Sequence, residues 1–241
     1  MEVIDIPIII DLTYQIKPNI DSKWIFTDII YEGYNTINIA CLDNNCQYVA
    51  KIIKIKKIYN EFNEYGCFTT FDKTRNELFI SKLMSEAGIG PMIYDMSLNE
   101  DEGIIIMEKY DGTLDDLLWL YQFDKNIRMD KFLNDTAILL AKMHSLNISH
   151  GDLHTDNIFY NKSGKIVISD FGQSLYTTSQ ELIDKDWASF KGIKGLYNRI
   201  KEGIKKIDRD NFFNIFSKLT PRNPYIFSYT WKGKKCDWYP D

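Results

Sequence analysis

The sequence predicts an α+β fold of two lobes, a β-rich N-terminal part followed by a helical C-terminal part. Three observations carry this. Residues 23–57 alternate apolar and polar side chains in the manner of strands. Residues 114–121 and 132–146 instead carry apolar side chains at helical spacing. No Gly/Ser/Pro linker, internal repeat or low-complexity block divides the 241 residues, a length that can bury a sizeable core.

Taken in order, Trp24, Ile25 and Phe26 open a first strand, and Ile37, Ile39 and Cys41 share one face of a second. Asp43-Asn44-Asn45 reads as a turn, from which Tyr48-Val49-Ala50-Lys51-Ile52-Ile53 returns. Residues 74–87 form an amphipathic helix through Leu78, Ile80, Leu83 and Met84, stopped at Gly88 and by Pro91. Residues 92–96 and 103–107 read as a strand pair around the polar loop Asn99-Glu100-Asp101-Glu102. Tyr110-Asp111-Gly112-Thr113 breaks the pattern, so the join near residues 107–111 is expected to be a hinge beside a ligand cleft. Helices over 114–121 and 132–146 follow, then the short strand Ile166-Val167-Ile168. From about residue 180 the chain reads as helix to 207 and again over 211–219, ending in a tail containing proline and aromatic residues. The expected division is an N-terminal extension, 1–22, and a single domain, 23–241. That domain comprises an N-lobe of about 23–107, a hinge of about 108–111 and a C-lobe of about 112–241.

A hydrophobic fraction of 44% and a charged fraction of 26% describe an ordinary globular chain. The net charge of −5 excludes the broadly basic surface of a general nucleic-acid binder. Lys51, Lys54, Lys56 and Lys57 cluster, as do Lys232, Lys234 and Lys235; each run reads either as solvated lysines on a strand end and a tail or as a local basic patch. Cys41, Cys46, Cys67 and Cys236 contain no Cys-x-x-Cys pair. The expectation is therefore free thiols in a reducing compartment, without a zinc site or disulfide framework, although Cys41 and Cys46 flank the expected turn and could lie near one another across a hairpin. The apolar run 4–10 is too short for a membrane span and lacks a basic flank, so the expected location is cytoplasmic.

The chemistry-bearing residues fall in a fixed order. Lys51 lies in the strand Tyr48-Val49-Ala50-Lys51-Ile52, and Glu77 lies on the first helix in Arg75-Asn76-Glu77-Leu78. Ile104-Ile105-Ile106-Met107-Glu108-Lys109-Tyr110 runs into the hinge. In His150-Gly151-Asp152-Leu153-His154-Thr155-Asp156-Asn157 an Asp and an Asn stand five apart, and Asp170-Phe171-Gly172 begins thirteen residues after the Asn. This series, each member in the required secondary structure, resembles the protein-kinase-like superfamily over most of residues 23–205.

The resemblance implies a role for each. Asp152 would accept the proton of the attacking hydroxyl, and Asn157 and Asp170 would hold magnesium bridging the ATP phosphates. Hard oxygen donors suit that metal. Lys51 would bind the α and β phosphates, fixed by Glu77, with Glu86 the alternative further along the helix. Met107 would be the gatekeeper, with the Glu108 carbonyl and Tyr110 amide meeting adenine between Val49 and Phe159. The phosphate-covering loop Tyr31-Glu32-Gly33-Tyr34-Asn35-Thr36-Ile37 keeps one glycine. Either Gly33 is its central glycine or Tyr34 stands at its tip.

Departures from the ordinary pattern are as informative. Gly151 stands where ordinary kinases place the arginine that reads a phosphorylated activation loop, which argues against that switch here. His154 replaces a lysine, either to contact the γ-phosphate or to pack. The resulting His-Gly-Asp-Leu-His is similar to aminoglycoside and choline phosphotransferases and to the small kinase of the tRNA threonylcarbamoylation complex. No Ala-Pro-Glu follows Asp170-Phe171-Gly172, and Asp186 (alternatively Asp184) is expected to brace the catalytic loop in a shortened helical C-lobe.

The resemblance thus implies a compact, atypical kinase of the kind found in large DNA viruses, using ATP and magnesium to phosphorylate serine or threonine of a protein substrate. A small-molecule or tRNA-modification-linked kinase/ATPase is the alternative. A nucleotide-binding pseudokinase is the third; the glycine-poor loop argues for it, and the complete charged set argues against it. No membrane and no direct nucleic-acid contact are expected, and the oligomeric state stays open.

Overall fold

The computed structural model describes residues 16–32, 35–43, 45–55, 70–202, 228–231 and 234–237. Strands β1 (Ile25–Glu32), β2 (Asn35–Leu42), β3 (Asn45–Lys54), β4 (Ile93–Leu98) and β5 (Glu102–Glu108) form an antiparallel sheet in the order β1-β2-β3-β5-β4. Alternation along β3 and β5 sets the function of each face. Val49, Ile53, Ile105 and Met107 join one apolar cluster, whereas Ala50, Ile104 and Ile106 join another on the opposite side. Lys51, two residues from both Val49 and Ile53, therefore points to the same side as the first cluster.

Helix α1 (Phe71–Glu86) lies over β4 and β5. It starts three residues earlier than the apolar spacing predicts, because the Thr70 side chain accepts a hydrogen bond from the Lys73 amide at 3.2 Å and caps the first turn. Gly103 on β5 admits the helix: a Cβ there would come within 2.4 Å of Thr74 Cγ2. Leu78 packs into the sheet cluster, while Ile80 and Met84 enter the larger core of the helical lobe. One helix is thus anchored to both lobes.

The second lobe runs β6 (Gly112–Thr113), α2 (Leu114–Tyr121), α3 (Met129–Ser145), β7 (Ile148–Ser149), a 3-10 turn (Thr155–Asn157), β8 (Ile158–Tyr160), β9 (Ile166–Ile168), β10 (Leu175–Tyr176) and α4 (Gln180–Lys201). Leu114, Leu118, Leu140, Met143, Ile158 and Ile193 are among its fully buried side chains. Strands β6, β8 and β9 form one small sheet and β7 pairs with β10. A capping box at Thr113 and Asp116 fixes the start of α2. No helix among the described residues is long and apolar enough to cross a membrane.

Part of the N-terminal extension, residues 16–22, is described, and it runs along the sheet edge. Lys17 bridges to Ser97 in parallel, and its ammonium lies 2.7 Å from Asp95 Oδ1. Trp24 Nε1 donates to the other oxygen of Asp95 at 3.0 Å. The tail holds a hairpin of β11 (Ser228–Trp231) and β12 (Lys234–Asp237), which the sequence reading did not anticipate. The helix expected over 211–219 lies outside the described residues.

One expectation is corrected. Cys41 and Cys46 are not free thiols but a disulfide across the β2–β3 hairpin, with Cα atoms 4.1 Å apart. The cause is the register: Leu42 pairs with Asn45, so the two cysteines occupy the next rung, directly opposite one another.

Candidate active site

The centre of the cleft is an ionic triangle. Lys51 Nζ lies 2.6 Å from Glu77 Oε1 and 2.7 Å from Asp170 Oδ1, which reaches it from 119 residues further along the chain. The Lys51 and Glu77 side chains are 7% and 6% exposed, whereas Asp170 is 45% exposed. Burial alone would push Lys51 down, but the charges of Asp170 and Glu77 outweigh it and hold the ammonium above its ordinary value. Burial raises Glu77 more than Lys51 lowers it. For Asp170 burial also acts upward, yet the neighbouring Lys51 charge holds the carboxyl at about 2. Of the two acids, Asp170 is the one whose charge is secured.

Asp170 reaches this position through a left-handed backbone, φ 62°, that turns the chain out of β9. Glu86, the alternative to Glu77, pairs with Lys82 at 3.2 Å near the end of α1 and is 60% exposed. The triangle therefore uses Glu77.

The loop carrying Asp152 is braced from below. Asp186 on α4, 2% exposed, accepts hydrogen bonds from the backbone amides of His150 at 2.7 Å and Gly151 at 3.0 Å. His144 Nε2 meets the same carboxylate at 2.9 Å. Asp184 instead accepts from the Gln180 side chain on the surface. Fully buried His150 links the loop to the strand before Asp170. Its Nδ1 accepts from the Asp152 amide at 3.2 Å and its Nε2 lies 3.0 Å from the Ser169 carbonyl. Both bonds are satisfied only by the neutral ring with its proton on Nε2. Burial likewise pushes the His150 pKa down, against the pull of Asp186.

Asn157 sits at the end of the 3-10 turn. Its Nδ2 donates to the Asp152 carbonyl at 2.9 Å and its own carbonyl accepts from Ser169 N at 2.8 Å. The Asp152 loop, Asn157 and Asp170 are therefore tied together within a few hydrogen bonds. His154 caps the turn, its Nδ1 accepting from the Asp156 amide at 3.3 Å, while its Nε2 lies 3.8 Å from Asp152 Oδ2.

At the hinge, the Glu108 amide donates to Met92 O at 2.9 Å and that of Lys109 to Gln47 O at 3.1 Å. Tyr110 Oη donates to Glu108 Oε2 at 2.9 Å, and Lys165 Nζ reaches the same oxygen at 3.0 Å. Burial and that hydrogen bond raise the Tyr110 pKa, keeping its proton in place. Val49 pairs with Met107 across β3 and β5, and Phe159 on β8 stands 6.1 Å from the Tyr110 ring. A small pocket behind Met107 is lined by Lys51, Glu77, Ser81, Ile105 and Phe171. Gly33 and Tyr34 lie outside the described residues.

Sequence reasoning passed over Tyr31. Its pKa is raised first by burial and then by the charge of Asp170, with Lys51 opposing. Its place at the mouth of the glycine-poor loop was the available signal.

The fold and this cleft define a two-lobed kinase-like chain. The protein kinase domain matches residues 32–191, and the chain belongs to that family. It is 32% identical over 182 residues to a probable bifunctional tRNA threonylcarbamoyladenosine biosynthesis protein of Thermoplasma acidophilum, covering 73% of this chain and 32% of that protein. A protein of the same description from Methanobrevibacter smithii is 31% identical over 67% of this chain and 26% of its own length. The serine/threonine-protein kinase greatwall of Xenopus laevis is 26% identical over 70% of this chain and 18% of its own length. The chain thus spans no more than about a third of these relatives.

Proposed function

We propose that the chain transfers the γ-phosphate of ATP, with magnesium, to a serine or threonine hydroxyl of a protein. The observation that carries this is the Lys51 ammonium held between Glu77 and Asp170 at 2.6 and 2.7 Å. In the proposed reaction Lys51 holds phosphate oxygens and Glu77 fixes its stem. The hinge from Glu108 to Tyr110, with Val49 and Phe159, takes the adenine. Asp152 removes the acceptor proton as the acceptor oxygen bonds to the γ-phosphorus and the bond to the β-phosphate oxygen breaks. Its carboxylate is 33% exposed, open enough to receive a substrate hydroxyl.

The donor set fits magnesium. Asp170 stays charged, and with Asn157 Nδ2 committed to the Asp152 carbonyl, Asn157 Oδ1 is the atom suited to a cation. Two protein oxygens are enough for a metal that shares its octahedron with phosphate and water. When bound, it would neutralise charge on the transferring phosphate. Catalysis of this kind is mostly positioning and electrostatics, which makes retention of the whole charged set meaningful.

A second reading has support of its own. Only residues 173–179 separate Gly172 from α4, leaving little surface on which to lay a peptide. The tRNA-modification proteins of Thermoplasma acidophilum and Methanobrevibacter smithii also share more identity with this chain than the Xenopus laevis greatwall kinase does. A kinase/ATPase acting alongside tRNA modification is the reading those observations favour.

The test is incubation of the chain with labelled ATP and magnesium beside separate pools of protein, aminoglycoside or choline, and tRNA-modification partners. Label on serine or threonine is expected. Label on a soluble small molecule, or phosphate release that depends on the tRNA-modification partners, overturns the protein acceptor. Asp152→Ala should lower transfer by at least about 10³-fold while ATP still binds. Undiminished transfer by that variant would sink its role as base.

A further inference from the structure

Gly151 supplies no arginine to read a phosphorylated loop, so what keeps α1 turned toward Lys51 is sought elsewhere. The structure offers a different device. Asn76, next to Glu77 on α1, donates from Nδ2 to the backbone carbonyl of Ser174 at 3.0 Å, spanning 98 residues. Ser174 is itself rigidly held. It is 1% exposed, its amide donates to Phe171 O at 3.0 Å, and its hydroxyl donates to the His150 carbonyl at 3.0 Å.

The segment on either side is equally fixed. A Cβ on Gly172 would stand 2.9 Å from Glu77 Oε2, so that glycine lets the segment lie against the glutamate. Gly151, at φ 80°, brings the catalytic loop against Gln173, where a Cβ would meet the Gln173 carbonyl oxygen at 2.4 Å. Leu175 and Tyr176 then pair with Ser149 and Ile148, and the Thr177 amide donates to Asn147 O at 2.6 Å. The Ser174 carbonyl is thus a stationary acceptor built into the floor of the cleft, and Asn76 is the hand that α1 lays on it.

We infer that Asn76 is a positioning residue: its hydrogen bond to Ser174 couples α1 to the catalytic loop and keeps Glu77 on Lys51 without any modification of the chain. The inference rests on the phosphotransfer reading for its consequence, but the coupling exists or fails independently of it. Asn76 touches neither the reacting atoms nor the ionic triangle. It sits on the exposed side of α1, so its replacement leaves both apolar cores intact.

The test compares Asn76→Ala, Asn76→Asp and Asn76→Gln in the full chain, using labelled ATP with magnesium and dephosphorylated casein as acceptor. Asn76→Asp is nearly isosteric but sets a carboxylate against a carbonyl; Asn76→Gln keeps the donor. The expected result is a roughly 5- to 20-fold loss of kcat/KM for ATP in the Ala and Asp variants, Asp at least as impaired as Ala. Recovery to within about threefold is expected in Gln, with Tm unchanged throughout. Amide hydrogen exchange without nucleotide is the second arm. Exchange in the first half of α1 and at residues 174–176 should quicken in Asp and not in Gln. Wild-type kinetics and unchanged exchange in Asn76→Asp overturn the inference, as does a loss that follows Tm and is not restored by Gln. If the unaltered chain transfers no phosphate to any acceptor, the phosphotransfer reading and the catalytic role of Asn76 fall together, and the exchange arm decides the coupling.

Discussion

The two sides of the cleft are built to different standards. On the proposed nucleotide side Lys51 and Glu77 are nearly sealed from solvent, and the Lys51 ammonium lies within 2.7 Å of both carboxylates. On the proposed acceptor side Asp152 is 33% exposed, and His154 Nε2 lies 3.8 Å from its Oδ2. The buried Lys51–Glu77 pair is over-determined, because either member left alone carries an uncompensated desolvation cost. A half-open carboxylate is positioned mainly through its backbone, here by His150, Asn157 and Asp186. The contrast explains why the sequence points firmly to a phosphate-handling cleft and only loosely to what receives the phosphate.

The sharpest way to break that contrast is at Lys51. Lys51→Met should lower transfer by about 10²- to 10³-fold, as the loss of a single oriented charge does in other sites. It should also destabilise the fold by up to about 3 kcal/mol, because Glu77 is left buried without its partner. Adding Glu77→Gln should restore most of the stability and none of the activity. Steady-state kinetics and urea unfolding of the single and double variants separate the two effects. A double variant no more stable than Lys51→Met would show that the triangle is not the source of the strain.

The same difference in determination decided what was legible. Lys51, Glu77 and Asp170 meet because their motifs lie on or directly after elements whose periodicity is plain, and α2 and β9 fall on the residues that the apolar spacing marks. Helix α3 starts at Met129, not Phe132, because Arg128 precedes it without a side-chain cap, which leaves no signal in the sequence. Strands β6, β7 and β10 have two residues each, too few to show a period. The Cys41–Cys46 bond was hidden for another reason: a count of cysteines says nothing about hairpin register, and register placed them opposite one another.

A second test compares two glycines with nearly the same φ and different surroundings. Gly151 and Gly164 have φ of 80° and 81°. A Cβ on Gly164 meets nothing within 4 Å, whereas one on Gly151 meets the Gln173 carbonyl oxygen at 2.4 Å. Gly164→Ala should cost about 1 kcal/mol of left-handed strain alone. Gly151→Ala should cost at least about 2 kcal/mol and also reduce transfer, since Gln173 must move and Ser174 with it. Equal stability losses in denaturant unfolding would mean that the approach to Gln173 is easily relaxed.

The smallest expected effect concerns acid. Burial depresses the folded pKa of His150 below its ordinary 6.5, with Asp186 opposing. The unfolded chain therefore binds the proton more readily. The neutral ring contributes stability that is fully present above pH 6.5 and is lost as pH falls below it toward the folded value. The slope attributable to this one group cannot exceed about 1.4 kcal/mol per pH unit. His150→Gln can keep the donor to the Ser169 carbonyl while removing the titration. Between pH 7 and 5 its unfolding free energy should fall less steeply than that of the unaltered chain, by roughly 1 kcal/mol across the interval. Asp170, held at about 2 chiefly by Lys51, stays ionised throughout the interval. Parallel slopes would mean that the buried ring accepts its proton in place, and that the Asp152 amide can forgo the nitrogen it donates to. The acceptor side would then tolerate rearrangement at its most deeply buried support, and its difference from the ionic triangle would extend from the exposed carboxylate to the frame beneath it.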